Sequence, residues 1–256
     1  MKKAFLFLSL LFLISLQSFT APKKSPSYSD YVDTRIGSGG DGRCFPGASL
    51  PFGMTAWAPQ TRREDLPYHY NDKKIQGFRG THFPSGSCMG DYGCVGITPI
   101  VGELKTSPQE RASSFDHSDE IAFPHYYSVI LKDYSIKTEI TATTLCGFFR
   151  FTFPQTNDAY IFIDNPMGGG SVKIIPEKGE IFGYNDYRYR GYFYAKFNKP
   201  FSEFGTFKGS ETHKGSTSEE GGGAGAYVKF STTPDEPILA KIGSSFISVE
   251  QARKNL

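Results

Sequence analysis

The stretch Ser135–Pro154, SIKTEITATTLCGFFRFTFP, decides the fold class. In its first half Ile136, Thr138, Ile140 and Ala142 fall on one face of an extended chain, and Lys137, Glu139, Thr141 and Thr143 fall on the other. Phe149, Phe151 and Phe153 repeat the pattern beside Arg150 and Thr152. Such period-two alternation predicts half-buried antiparallel strands. Further strand-like runs follow at AYIFID, SVKII, GYFYAKF, AYVKFST and ILAKIGSSF, separated by Gly, Pro, Asn and Asp clusters. No long amphipathic helix lies between them, so the expected fold is all-β, an antiparallel β-sandwich.

The region before this run reads differently. From Arg35 to Gly102 glycine, proline and polar residues dominate and a loop-rich segment is predicted, of the kind that carries function in compact domains. Within it GFRGTHFPSGSCMGDYG, Gly77–Gly93, gathers Arg79, His82, Cys88, Asp91 and Tyr92, and its glycines predict a loop. GSTSEEGGGAGA, Gly215–Ala226, reads as an extended hairpin loop. At the far end Ser248 and Gln251 form a capping-box pattern heading a short helix. That helix needs a surface to pack on, because one or two turns alone are unstable in water.

Residues 1–21 combine Lys2 and Lys3 with an apolar run from Ala4 to Leu16, too short to span a bilayer, and are expected to be a signal peptide. Removing its two lysines from the 28 basic residues leaves 26 against 26 Asp and Glu. That balance excludes nucleic acid and anionic membranes as favoured partners and suits a neutral ligand. Roughly 235 residues then remain, enough for one large domain with a true core or for two small ones. No second hydrophobic span follows, so a secreted or periplasmic product without a membrane span is expected. The four cysteines, Cys44, Cys88, Cys94 and Cys146, could form two disulfides in three pairings.

Several motifs are weaker than they look. GSGGDG, Gly37–Gly42, matches a phosphate-loop pattern, but Pro46 and Pro51 block the helix that would have to follow. The spacing of His82, Cys88 and Cys94 does not fit the common zinc pairs. No pair of carboxylates stands out for glycoside hydrolysis. Trp57, the single tryptophan, and the Tyr68–His69–Tyr70 cluster have the composition of a pyranose site, aromatic faces beside polar side chains. A core tryptophan is the alternative reading for Trp57, and surface or core packing for the tyrosines.

Taken in order, YVDTRIGSGGDGRCFPGASLPFGMTAWAPQT, YHYNDKKIQGFRGTHFPSGSCMGDYG, ITPIVGEL and PHYYSVILKDYSIKTEITATTLCGFFRFTFP resemble the N-terminal domain of glycoside hydrolase family 92, a family of exo-acting α-mannosidases. The resemblance runs from about Tyr31 to IGSSFISVEQARKNL. It implies a galactose-mutarotase-like supersandwich over residues 22–247, with 248–256 starting a linker toward an (α/α)6 barrel. It also implies a mannose-containing glycan as partner, inverting chemistry and calcium, with both catalytic carboxylates and the calcium ligands on the barrel. This chain would then hold no catalytic or metal residue and would be inactive alone. Arg79, His82, Asp91 and Tyr92 are expected to face the mannose pocket or the barrel, with Trp57 and His69 nearby. A stand-alone carbohydrate-binding sandwich without catalysis is the alternative; it would be polar across the face a barrel would cover.

Overall fold

The computed structural model describes residues 27–50 and 52–256, so the predicted signal peptide lies outside the described residues. Ser27–Tyr31, with a single helical turn at Tyr28–Tyr31, belong to a unit separate from Val32–Leu256, which carries the architecture below.

Two large sheets make up the domain. The first runs in the order β1 (Ala56–Gln60), β3 (Gly77–Thr81), β4 (Val95–Val101), β10 (Thr156–Asp164), β17 (Ala224–Thr232), β14 (Glu203–Lys208) and β15 (Glu211–Lys214). The second runs β16 (Ser218–Glu220), β11 (Gly170–Ile175), β12 (Glu180–Asn185), β13 (Gly191–Phe197), β18 (Ile238–Ser245), β9 (Cys146–Thr152), β8 (Ile136–Ala142), β7 (Tyr126–Leu131) and β6 (Ile121–Phe123). A small pair, β2 (Lys74–Ile75) and β5 (Ser113–Ser114), stands apart. Neighbours pair antiparallel, as in β8 with β9 and β10 with β17.

The core lies between the sheets. Ile136, Ile140, Phe149 and Phe151 of the second sheet join Phe78, Ile97, Ile161 and Val228 of the first in one buried cluster. The alternation at Ser135–Pro154 thus holds, because this sheet has one face on the core and one toward solvent. On its outer face Glu139 sits opposite Arg150, which donates two hydrogen bonds of 2.6 Å, and Tyr126 donates a third. The Arg150 hydrogen bonds lead in holding the Glu139 carboxyl down at about 2, against burial that would raise it.

A carboxyl depressed in the folded state stabilises the fold above its unfolded value and loses that contribution as pH falls. The window for Glu139 therefore runs from its ordinary 4.5 down to about 2. Glu139→Gln is expected to flatten the acid side of the stability profile in that window, measured by urea titration at stepped pH; an unchanged slope would remove the pair from acid stability.

The strand expectation failed in one direction. GFRGT at the head of Gly77–Gly93 is strand β3, not loop, and β1 and β4 flank it in the segment read as loop-rich. All five residues of β3 are buried, so no polar face remains to show a period of two. Gly80 is needed there: a Cβ would lie 2.9 Å from the Trp57 ring. Part of Gly215–Ala226 is also strand, as β16 and the start of β17.

The C-terminal helix Val249–Lys254 forms as expected, and the Ser248 hydroxyl accepts the Gln251 N–H at 3.1 Å. The reciprocal half of the capping box is not made, because the Gln251 side chain reaches forward to Asn255. Its packing surface is β13 and β18, with Ala252 buried and Asn255 donating to the Ser244 carbonyl at 2.8 Å. Gly243 permits this approach, since a Cβ there would meet the Ala252 carbonyl.

Candidate functional site

Strand ends and turns from both sheets meet at one end of the sandwich, and Gly77–Gly93 is the thread between them. Arg79, in the middle of β3, is fully buried, as is Asp91. Its Nε stands 3.3 Å from Asp91 Oδ2, and its Nη2 donates to the carbonyls of Glu64 and Asp65 at 2.9 and 3.2 Å. Asp91 Oδ1 accepts the backbone N–H groups of His82 and Tyr92 at 3.0 and 2.9 Å. This interior ion pair staples the loop closed at its base. Neither Arg79 nor Asp91 is among the residues lining the cavity that His82 borders.

His82 and Tyr92 are what the staple positions. The His82 Nδ1 lies 2.8 Å from the Tyr92 carbonyl, which can only accept, so the proton sits on Nδ1 and Nε2 keeps its lone pair. Burial is the main cause lowering the His82 pKa, and the nearby Asp91 charge only partly opposes it, so the ring is neutral. Phe246 packs edge-on to His82 at 4.7 Å between ring centroids and lies 5.6 Å from Tyr92, which in turn meets Tyr189 at 5.4 Å. Tyr189 and Phe246 are exposed and come from turns of the second sheet. Gly93 makes the junction possible: at φ +54 it lies against Gly191, where a Cβ would come within 2.8 Å of the backbone.

His82 also lines a cavity of about 600 Å³ with Cys44, Phe45, Phe52, Met54 and Thr81 among its walls. Among the described residues no Asp, Glu, Lys or Arg lines it. Its rim is apolar, with Ile36 and Phe52 exposed. Such a cavity can stack and hydrogen-bond a neutral ligand, accepting a hydroxyl at His82 Nε2. Without a carboxylate it cannot supply the acid and base of glycoside hydrolysis.

Two expected residues stand elsewhere. Trp57 is 0% exposed, edge-on to Phe149 at 5.2 Å, and a Cβ at Gly147 would strike its ring at 2.4 Å. It is a core residue, and the core alternative holds over the sugar-stacking one. His69 lies with its ring nitrogens 3.3 and 3.2 Å from the Gly40 and Asn71 N–H groups, among turns that do not include His82 or Tyr92. Gly37–Gly42 is a run of turns with no helix after it. The four cysteines are free thiols; burial raises Cys146 and pushes Cys94 up to about 12, so neither is a poised nucleophile. Sequence reasoning missed Tyr189 and Phe246; their one signal was a pair of aromatic residues in turns, TyrArgGly beside Arg188 and SerPheIle before the last helix.

The Glycosyl hydrolase family 92 N-terminal domain matches this chain over residues 31–245. The chain belongs to that family. Among solved structures, a family 92 inverting mannosidase of Bacteroides thetaiotaomicron superposes with a TM-score of 0.85 at 35% identity, covering 91% of this chain and 33% of that one. A family 92 α-mannosidase of the same bacterium gives 0.80 at 30% identity, covering 89% and 34%, and has also been solved with mannoimidazole bound. A protein of Arthroderma benhamiae described as an uncharacterized secreted glycosidase is 30% identical over 160 residues, 58% of this chain and 20% of its own length. The family 92 domain described here thus spans about a third of the length of the structures it matches. Among the described residues, no three His, Cys, Asp or Glu side chains converge to hold a metal, and no helix is long and apolar enough to cross a membrane.

Proposed function

We propose that this chain forms the non-catalytic wall of an α-mannoside-binding site in an exported family 92 glycosidase acting on mannose-containing glycans. The observation that carries this is the cavity lined by His82 without a charged side chain among the described residues; the Tyr92 and Phe246 rings pack against the His82 ring. His82 Nε2 would hydrogen-bond a neutral sugar in that cavity, while Arg79 and Asp91 hold the backbone of His82 and Tyr92 from behind. A barrel domain would supply both carboxylates and the calcium ligands, and its place would be over the apolar rim. The exposed rim residues Ile36 and Phe52, with Tyr189, Phe246 and Ile247 exposed outside the cavity lining, favour a face covered by more polypeptide over a free-standing binding module.

Titrating the chain with methyl α-mannopyranoside, read at the His82 imidazole by NMR, tests the reading. Weak saturable binding is expected, and His82→Ala should weaken it about tenfold, the value of one good hydrogen bond. Binding that is unaltered in the variant would sink the assignment.

A further inference from the structure

Between the end of β18 at Ser245 and the start of the C-terminal helix at Val249 lie only Phe246, Ile247 and Ser248. Both ends of this link are fixed. At one end β18 pairs with β13 and β9, and the Ser245 hydroxyl accepts the Ile247 N–H at 2.9 Å. At the other the Ser248 hydroxyl caps the helix, whose Ala252 is buried against Gly243 and whose Asn255 donates to the Ser244 carbonyl. Arg253 adds a further tie, 5.5 Å over the Tyr194 ring of β13. Three residues span about 10 Å at most, so a shift of the helix is passed on to the link.

Phe246 is the side chain that this link presents to the candidate site. It is 39% exposed and belongs to neither buried cluster, yet its ring packs on both His82 and Tyr92. It lines no part of the cavity, so it acts on the site through those rings. The single hydrogen bond from His82 Nδ1 to the Tyr92 carbonyl fixes one edge of the imidazole and leaves it free to tilt. The edge of Phe246 removes that freedom, as close aromatic pairs do. The strand end gripped by the helix also reaches the cavity wall: Ser244 Oγ stands 2.6 Å from Thr55 Oγ1, and Thr55 lies between the lining residues Met54 and Ala56.

We infer that Phe246 is a positioning residue for the His82 ring, and that the C-terminal helix, by holding Phe246 in place, sets the geometry of the candidate sugar site. The inference rests on the mannoside reading only for what the ring binds.

The test is NMR of the full chain, first free and then titrated with methyl α-mannopyranoside, following the His82 ring. Phe246→Ala is expected to move the ring resonances in the free protein and to raise the His82 pKa toward its ordinary 6.5, because part of the burial that lowers it is lost while the Asp91 charge stays. Tyr92 and, behind Asp91, Arg79 are the other titratable groups at the ring, and the Phe246–Ser248 link carries none. Phe246→Tyr keeps the ring and should restore the native resonances. Gly243→Ala alters no residue of the site, but its Cβ would strike the Ala252 carbonyl and displace the helix, so it should move His82 in the same direction. Asn255→Ala, which removes the bond to Ser244, takes its place if that variant fails to fold. Sugar affinity should fall about threefold in both Phe246→Ala and the helix variant. His82 resonances unchanged by Phe246→Ala, or unchanged by a displaced helix, would overturn the inference. Resonances that move in the variants while the sugar binds no form of the chain would support it and sink the mannoside reading alone.

Discussion

Asp91→Ala is expected to destabilise the fold by about 3–5 kcal/mol, the cost of leaving a buried charge without its partner. Arg79 would remain fully buried, facing the void where Asp91 Oδ2 stood 3.3 Å away. The His82 and Tyr92 N–H groups would lose their acceptor in the same step. Chemical denaturation measures this directly. A double replacement, Arg79→Met with Asp91→Leu, should recover much of the loss, because two apolar side chains of similar volume leave no orphaned charge. If Asp91→Ala left stability unchanged but abolished sugar binding, Asp91 would be a ligand contact and the staple account would be wrong.

Trp57→Ala should cost about 3–5 kcal/mol, as for other large aromatic truncations in a close-packed core. The surroundings are built around the ring: Phe149 meets it edge-on, and Gly80 and Gly147 exist without side chains where it passes. Trp57→Phe should cost far less, because the indole Nε1 has no hydrogen-bond partner to lose and an apolar ring remains. Thermal and urea unfolding of both variants test the ranking. A mild alanine variant with impaired ligand binding would return Trp57 to the sugar site.

These two cases show where a single sequence stops being informative. Ser135–Pro154 was legible because each strand has one wet face, and a wet face forces alternation. Strand β3 has none, so Gly77–Thr81 reads as a glycine-rich loop although it runs through the interior. Arg79 misled for the same reason. An arginine in such a stretch looks like a surface ligand, and nothing local announces that Asp91 and two backbone carbonyls will surround it.

The candidate site was half legible. His82 and Tyr92 share a short segment whose composition drew notice, and the structure brings them together. Tyr189 and Phe246 arrive from turns of the opposite sheet, and only the Gly93–Gly191 contact makes them neighbours.

On the proposed reading this chain binds an α-mannoside without cleaving it. The most direct measurement is mannose release from an α-mannoside by the purified chain, with calcium present, over hours. No release above background is predicted, since the His82 cavity holds no carboxylate to protonate the leaving oxygen or activate water. Turnover by this chain that His82→Ala abolishes would contradict that reading and place catalysis in the sandwich itself.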